Sequence, residues 1–240
     1  MYRNKIYKHY GKIFGTGSKG LEPKARAKIN AIKRWHLRDW LPFDKNAKIV
    51  DLGCGTGDDL LFYEAEGYSN VYGVDVSSSQ VAITKNHPVT VLEGDMFEVL
   101  KKSEDKFDCV SAFDVIEHLT KDEVIEFLET VFSSLNDGGD LILRTPNASS
   151  LFASELRYGD FTHELSFTPH VLAGLLKMVG YNNIVIRECD PPARGYSFFS
   201  FIRFCLWKMV RLIIKTINII ETGSSSGTYS RVFLIKGTKI

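Results

Sequence analysis

Short apolar runs alternate with longer amphipathic segments along most of the chain. Four early runs of strand length each end at or beside an acidic residue: 48–52, 70–76, 89–92 and 107–113. Three later runs have the same character: 140–145, 184–188 and 231–236. Apolar residues at helical spacing indicate helices in other segments: 24–40, 121–135 and 169–180. Strands that alternate with helices predict an α/β fold built on a largely parallel sheet.

A glycine-rich turn follows the first strand. Gly53, Gly55 and Gly57 form G-x-G-x-G, which lets the backbone turn tightly or approach a ligand closely. The pattern departs from the G-x-G-x-x-G that binds a pyrophosphate, because position 58 is Asp. Asp51 and Asp58 flank the turn with negative charge, which favours a ligand that carries a cationic amine or sulfonium.

Acidic residues recur at the ends of the next strands. Asp75 ends the second strand, 18 residues after Gly57, where a fold of this kind holds a ribose diol. Asp95 follows the third strand, and Asp114 follows the fourth. Because the carboxyl ends of parallel strands share one edge, these side chains should lie together.

Four motifs occur in one order and spacing: VDLGCGTG, GVDVS, EGDM and FDCVSAFDVIEHL. Together they resemble the class I S-adenosylmethionine-dependent methyltransferases over about residues 45–190. The resemblance implies a Rossmann-like seven-stranded mixed sheet with an antiparallel last strand and helices on both faces, plus N-terminal and C-terminal helical caps. It also implies an S-adenosylmethionine site over the tips of the first strands.

The resemblance implies a set of cofactor-binding residues: Asp51, Gly53, Cys54, Gly55, Gly57, Asp75, Val76, Asp95, Met96 and Phe113. In this set Asp75 accepts hydrogen bonds from the ribose hydroxyls. Asp95 accepts from the adenine amino group, with Met96 against the ring. Asp51 orients the amino group, and the backbone of Phe113 meets the methionine end. The alternative for Asp75 is a structural acid that caps the turn at 77–79.

We expect one domain over 1–240, with a lid and helix at 1–44, a cofactor-binding core at 45–190, an amphipathic helical insertion at 196–222 and a final strand at 230–238. In the resembled family the region before the sheet covers the cofactor and substrate. Tyr7, Tyr10 and Phe14 are therefore candidates for lid residues. The alternative is that they anchor the leading helix to the core.

Composition excludes several classes of protein. The chain is 44% hydrophobic and 25% charged with a formal net charge of +1, which argues against a nucleic-acid partner. The cysteines are scattered, with no C-x-x-C pair: Cys54, Cys109, Cys189 and Cys205. This pattern fits a reducing cytoplasm and indicates neither a disulfide framework nor a zinc site.

A polar, aromatic loop at 157–169 is expected beside the reacting methyl group. Its R-Y-G-D-F-T-H-E…F-T-P pattern resembles a branch of the family found in capsule and lipopolysaccharide biosynthesis. That resemblance implies methylation of a hydroxyl on a sugar, sugar nucleotide or glycan, or of a phosphate-type decoration. The alternatives are a small aromatic acceptor such as a quinone precursor, and a cofactor-binding module without turnover.

His163 and His118 are the candidate general bases, because imidazole titrates near neutrality. Each also has a structural interpretation, with His118 satisfied by Glu117 or backbone and His163 capping a turn through Glu164. A further possibility is that Asp114, Glu117 and His118 hold a divalent metal. The resembled sequences work mostly without one, so no metal is assigned.

The segment 198–220 combines many apolar residues with four cations: Arg203, Lys208, Arg211 and Lys215. On a helix these cations fall within an arc of about 140°. Their charge argues against a membrane-spanning helix. The segment therefore lies on an anionic membrane, or packs its apolar face on its own protein, or packs on a second subunit in a homodimer.

Overall fold

The computed structural model describes residues 2–7, 23–84, 89–192 and 197–240. Seven strands form one sheet in the order β3-β2-β1-β4-β5-β7-β6. The first five strands in the chain run parallel, whereas β7 is antiparallel to both of its neighbours. The predicted Rossmann-like mixed sheet with a reversed last strand is therefore confirmed.

The strands are β1 (Ile49–Leu52), β2 (Val71–Asp75), β3 (Thr90–Glu93), β4 (Phe107–Phe113), β5 (Leu135–Pro146), β6 (Asn182–Glu188) and β7 (Val232–Thr238). The first helices are α1 (Tyr2–Tyr7), α2 (Pro23–Leu37), α3 (Asp58–Ala65), α4 (Ser78–Thr84) and α5 (Met96–Lys102). The later ones are α6 (Lys121–Ser134), α7 (Ala153–Gly159), α8 (Pro169–Val179) and α9 (Phe198–Thr222). A 3₁₀ turn spans Ile116–His118.

The two faces of the sheet are both covered. In β1, Val50 belongs to the cluster formed with α6 and α8, whereas Ile49 packs with the cluster that contains Leu37 of α2 and Phe62 of α3. Alternate residues of a strand point to opposite faces, so helices on both faces require strands that are apolar almost throughout. All four residues of β1 are buried, as this requires.

The helix boundaries agree with local signals in two cases. Thr120 and Glu123 form a reciprocal capping box at the start of α6. Thr168 caps α8, and Pro169 occupies its first turn. Both helices begin at the residue that the sequence predicts.

Several boundaries differ from the sequence prediction, most of all at the start of β5. β5 begins at Leu135 rather than at residue 140, because Leu135 pairs with Phe107 and the glycine turn is absorbed as an irregularity in the register. Gly138 donates to Lys239 O at 2.8 Å, which ties this turn to the chain after β7. The expected loop at 157–169 is also shorter, since its first three residues end α7.

Helix α9 presents its apolar side chains outward. Arg211 donates to Glu188 at 2.8 Å and Lys208 lies 3.1 Å from Asp190, so the cationic face packs on the body of the protein. The interpretation that its apolar face packs on its own protein is therefore wrong. Among the helices that the structure describes, none is long and apolar enough to cross a membrane.

Candidate active site

The turn between β1 and α3 is too tight for side chains at two of its glycines. Gly53 has φ +70°, and a Cβ there would lie 2.5 Å from Cγ2 of Val115. Gly57 has φ +81°, and a Cβ there would lie 2.6 Å from Cγ2 of Thr84. Both positions need glycine, because the backbone has a positive φ and a side chain would clash. The absence of side chains lets the backbone of this turn lie close to the edge of the sheet.

A cavity of about 340 Å³ opens at the carboxyl ends of β1 and β2, within the usual size range of small-molecule sites. Six predicted cofactor residues line it: Gly53, Gly55, Asp75, Val76, Asp95 and Met96. Two predicted catalytic residues, Asp114 and His118, line the same cavity. Four other predicted cofactor residues are not in its lining: Asp51, Cys54, Gly57 and Phe113.

Asp75 lines the cavity and also has a structural role. Its two carboxylate oxygens accept from the backbone N–H groups of Gly55 and Ser77, each at 2.8 Å. Burial raises the pKa of Asp75, while the two backbone hydrogen bonds oppose that shift. The carboxylate therefore pins the glycine turn to the end of β2 and still faces the cavity.

Asp95 caps the next helix at the cavity wall. One of its oxygens accepts from the backbone N–H groups of Phe97 and Glu98, at 2.9 and 3.3 Å. Met96 and Phe97, which begin α5, add apolar surface to the same wall. An acid beside apolar side chains suits a flat heterocycle that carries an amino group, as expected for the adenine end.

Asp51 and Cys54 lie beneath the cavity. Asp51 is 2% exposed and accepts from the hydroxyl of Ser111 at 2.6 Å. Burial raises the pKa of Asp51, and the nearby Asp59 carboxylate adds to this effect. Burial also raises the pKa of the Cys54 thiol, so that thiol is a packing group rather than a nucleophile.

Helix α1 closes one side of the cavity. Arg3 forms an ion pair with Glu123 of α6 at 2.9 Å, and Tyr7 lines the cavity with its ring 6.4 Å from that of His118. Tyr7 therefore occupies the predicted lid position. Tyr10 and Phe14, the other candidates, lie outside the described residues.

The two candidate histidines are in contact although 44 residues separate them, with ring centroids 4.7 Å apart. The Thr162 hydroxyl donates to Asp160 at 2.7 Å, so it accepts a hydrogen bond from the Nδ1–H of His118, which lies 2.9 Å away. His163 Nδ1 lies 2.9 Å from the carbonyl oxygen of Leu156, which can only accept. In the neutral form, both imidazoles therefore keep a lone pair on Nε2.

Glu117 completes a cluster with these histidines. One of its oxygens accepts from Thr145 at 3.1 Å, whereas Oε1 is buried without a hydrogen-bond partner. Burial raises the pKa of Glu117, and the Asp114 carboxylate raises it further. Burial lowers the pKa of His118, and His163 adds to that shift. We call Glu117, His118 and His163 the polar cluster.

The ligand atoms of the polar cluster all lie within 4.8 Å of one another. Two imidazole lone pairs and a carboxylate form a donor set that suits a divalent cation. The buried Oε1 of Glu117 lacks a partner whether or not it is protonated, and a cation would satisfy it. The residues thus fit a metal ion, although the sequence interpretation assigned none.

Asp114 is held away from the polar cluster. It adopts φ +57° and forms a bidentate ion pair with Arg144, at 3.1 and 3.2 Å from Nε. A carboxylate engaged in this way is a weaker candidate for a metal ligand than Glu117. The set Asp114, Glu117 and His118 considered from the sequence is therefore replaced by one that includes His163.

Sequence reasoning missed several residues of the site. Arg157 of α7 donates to the carbonyl oxygens of His163 and Glu164, which holds the following loop against α7. Arg3 and Gln80 contribute to the cavity wall. Arg3 and Gln80 reach the cavity from distant positions in the sequence, and no local pattern marks such contacts in a single sequence.

The family model described as "Methyltransferase domain" matches residues 25–186 of the chain, about two-thirds of its length. No curated protein matches the chain.

Several solved structures share the fold. A S-adenosylmethionine-dependent methyltransferase of Archaeoglobus fulgidus is 24% identical, with a TM-score of 0.69 over 96% of this chain and 100% of that one. A Thermotoga maritima protein described as a possible histamine N-methyltransferase is 16% identical, with a TM-score of 0.62 over all of both chains. Phosphoethanolamine N-methyltransferase 2 of Haemonchus contortus, bound to S-adenosylmethionine, is 14% identical, with a TM-score of 0.61 over 97% of this chain and 60% of that one.

The structural likenesses agree with the sheet order and with the position of the cavity. The match to the family covers β1 to β5, together with the glycine turn, Asp75, Asp95 and the polar cluster. The chain belongs to the methyltransferase domain family, as an enzyme of the S-adenosylmethionine-dependent class.

Proposed function

We propose that this enzyme transfers a methyl group from S-adenosylmethionine to a hydroxyl of a polar acceptor, a sugar or a phosphate-type decoration of a surface polysaccharide. The observation that carries the proposal is the polar cluster, one member of which lines the cavity. Its lone pairs are arranged to receive positive charge, whether as the proton of a hydroxyl or as a cation. A hydroxyl acceptor needs such a group, because it is a poor nucleophile until its proton leaves.

The cofactor lies over the tips of β1 to β3 in this proposal. Asp75 accepts from the ribose hydroxyls, and Asp95 with Met96 holds the adenine. Gly53 and Gly55 leave space for the methionine portion beside the backbone. The cofactor supplies the reactive sulfonium, so the chain's own task is to position the acceptor in line with the methyl group and to exclude water.

The polar cluster activates the acceptor. His163 and His118 present Nε2 lone pairs, and their Nδ1 atoms are fixed by hydrogen bonds, which hold both rings in one orientation. Glu117 contributes the carboxylate oxygen that has no protein partner. A divalent cation held by these groups would lower the pKa of the acceptor hydroxyl.

The polarity of the loop after α7 supports a glycan acceptor. Asp160 and His163 supply polar groups, and the buried Thr162 hydroxyl joins Asp160 to His118. Tyr158, in the last turn of α7, and Phe161 are 79% and 76% exposed. These two exposed rings also favour a second candidate, a small aromatic acceptor of the quinone-precursor type. A binding module without turnover would have no use for the polar cluster, so activity is the better interpretation.

A methyl-transfer screen tests the acceptor class. Nucleotide sugars and capsule fragments are compared with dihydroxy-aromatic compounds, and mass spectrometry locates the added methyl group. Methylation of a sugar or phosphate-type oxygen is expected. Transfer to the aromatic compounds alone would overturn the glycan proposal, and binding of S-adenosylhomocysteine without transfer to any compound would favour the binding module.

Substitution of His163 tests the role of the polar cluster. His163→Ala should lower kcat by at least about 100-fold, because acceptor activation contributes factors of that size. Its affinity for S-adenosylhomocysteine should stay within about twofold of wild type, since His163 is outside the cavity lining. His170→Ala, an exposed histidine on α8, is the control and should leave both quantities unchanged. Equal turnover in the two variants would remove His163 from the mechanism.

A further inference from the structure

Helix α9 has two unlike faces. The inner face packs on the protein through Ser200, Phe204 and Trp207, and through the ion pair of Arg211 with Glu188. These inner positions recur at helical spacing along the helix. The helix is therefore fixed to the body by its more polar side.

The outer face is almost wholly apolar. Twelve large apolar side chains of α9 are between 36% and 80% exposed: Phe198, Phe199, Phe201, Ile202, Leu206, Met209, Val210, Leu212, Ile213, Ile217, Ile219 and Ile220. At 100° per residue they fill an arc of about 180°, and they continue over a helix about 37 Å long.

A surface of this kind exceeds what an isolated soluble domain normally exposes. The largest apolar patch of a typical monomer covers roughly 300–600 Å², and one large aromatic side chain alone accounts for ~150–250 Å². Three phenylalanines and nine aliphatic residues at these exposures surpass that range. Such patches mark contacts with a partner or a membrane.

The charges beside this face identify the kind of partner. Arg203 and Lys208 lie at the two edges of the apolar arc, and Glu221, at the C-terminal end, is the one acid in the sequence of α9. Helix α2 adjoins α9, because the rings of Trp35 and Phe204 are 6.2 Å apart. The charged residues of α2 are all cations: Lys24, Arg26, Lys28, Lys33 and Arg34. Lys33 and Arg34 are engaged in ion pairs with Asp59 and Glu66, so Arg203 and Lys208 at the edges of the apolar arc are the cations that bear most on the partner.

We propose that α9 lies in the plane of a bilayer that contains anionic lipid, with its apolar face at the boundary between headgroups and acyl chains. A basic helix with a broad apolar face binds in this way, through buried apolar area and attraction to anionic headgroups. A parallel pair of α9 helices would bring Arg203 of one copy to the Lys208 edge of the other, so like charges disfavour that arrangement of a second copy. An antiparallel pair, in which Arg203 can approach Glu221, is the competing occupant of the face, and light scattering distinguishes it from lipid binding.

Vesicle flotation tests this proposal without any methyl donor, so the result does not depend on the proposed function. Wild-type protein should float with vesicles of phosphatidylcholine and phosphatidylglycerol, and several-fold less with phosphatidylcholine alone. Leu206→Glu/Ile213→Glu should lower the partition coefficient by more than about tenfold, since both side chains leave the apolar face.

Val171→Glu/Met178→Glu on α8 is the matched control. It has the same charge change and the same spacing of seven residues, and the four replaced side chains are similarly exposed, at 55% and 60% on α9 and at 52% and 63% on α8. The control should bind vesicles within about twofold of wild type. S-Adenosylhomocysteine binding and thermal melting confirm that both variants fold, and Leu206→Gln/Ile213→Gln replaces the glutamate variant if that one unfolds.

Three outcomes would overturn the proposal. The first is that wild type fails to float with the anionic vesicles. The second is that the α9 variant and the α8 control bind equally. The third is a wild-type dimer, found by light scattering without lipid, that the α9 variant loses, together with no binding of either protein to vesicles. That result would assign the apolar face to a second copy of the chain.

Discussion

The polar cluster is the place where single residues decide the chemistry. Glu117 Oε1 is buried without a partner, and the two histidines beside it have Nδ1 atoms engaged by Thr162 and Leu156, which leaves Nε2 of each neutral ring as the lone-pair atom. Buried polar groups are normally satisfied, so a buried carboxylate oxygen without a partner, next to a histidine that lines the cavity, points to a bound species. The three groups belong to the 3₁₀ turn and the loop after α7, which backbone hydrogen bonds from Glu164 and Leu165 to Glu117 O hold together.

Binding of Mn²⁺ tests this interpretation of the polar cluster. We expect about one equivalent to bind in an electron paramagnetic resonance titration, and Glu117→Gln to weaken binding by at least about tenfold, because even residues that only orient a metal ligand affect affinity on this scale. Chelation should lower turnover, and Mn²⁺ or Mg²⁺ should restore it. Glu155→Gln, an exposed acid on α7, is the control. Equal Mn²⁺ binding by the two variants would contradict the assignment.

The buried Asp51 should make the stability of the protein depend on pH. Burial raises its pKa in the folded state, so the folded protein favours the protonated acid. The stability that this group contributes is complete below the unfolded pKa and is lost as the pH rises through the folded pKa.

The melting temperature of Asp51→Asn minus that of wild type should therefore increase from pH 5 to pH 9. Each unit of pKa shift corresponds to about 1.4 kcal/mol, and each kcal/mol to about 2–4 °C for a chain of this size. Asp137→Asn, whose side chain is 89% exposed, should show a constant difference. A constant difference in both variants would show that the pKa of Asp51 is not raised.

At the scale of elements, helix α1 connects the cavity wall to the loop after α7. Arg3 pairs with Glu123 at 2.9 Å and reaches Glu164 at 3.9 Å, so one side chain contacts both α6 and the loop after α7. Ser77 donates to the carbonyl oxygen of Tyr7 at 3.3 Å, which joins the end of α1 to the turn after β2. The helix is short, so these contacts hold it in place.

Arg3→Ala should release α1 without unfolding the protein. The dissociation rate of S-adenosylhomocysteine in stopped-flow experiments should rise several-fold, because a lid that opens more often retains its ligand less well. The free energy of unfolding should change by less than about 1 kcal/mol, since partly exposed ion pairs contribute little. Lys101→Ala removes an exposed ion pair with Glu126 and is the control. Equal dissociation rates would exclude a lid role for α1.

The elements could be predicted from the sequence where local signals agree. Alternating apolar runs identified the strands, and apolar residues at helical spacing identified α6 and α8, whose starts the structure shows to be capped by Thr120 and Thr168. β5 was predicted to begin five residues too late, because pairing of Leu135 with Phe107 overrides the turn chemistry of Gly138 and Gly139. That pairing is a tertiary contact that one sequence does not reveal.

Individual residues of the site could be predicted from the sequence, but the contacts between them could not. Motif spacing identified Asp75 and Asp95, because strand ends carry the ligand groups in this fold. The contact between His118 and His163 depends on Thr162 and Asp160, which lie on a loop whose path no periodicity defines. The direction of the apolar face of α9 was left open between membrane, own protein and second subunit, since amphipathicity defines two faces without showing which one meets the protein.

At the scale of the whole molecule, the parallel strands gather the functional groups at one edge. Asp51 pairs in register with Gly73 and Ser111, and Asp75 with Glu93, so the ends of β1 to β4 meet at the same level. Helix α9 is attached near the end of β6, at the opposite edge of the sheet from β3. The strand order thus separates cofactor binding from the proposed lipid contact.

The central claim is that the acids at the strand ends hold one sulfur-containing nucleoside, and a calorimetric titration tests it most directly. S-Adenosylhomocysteine is titrated into wild type, Asp75→Asn and the control Asp122→Asn, which alters an exposed acid of α6. We expect one site in wild type and in the control, and at least about tenfold weaker binding by Asp75→Asn, because a ribose hydroxyl loses a charged acceptor. Equal binding by Asp75→Asn, or no binding by wild type, would contradict the account.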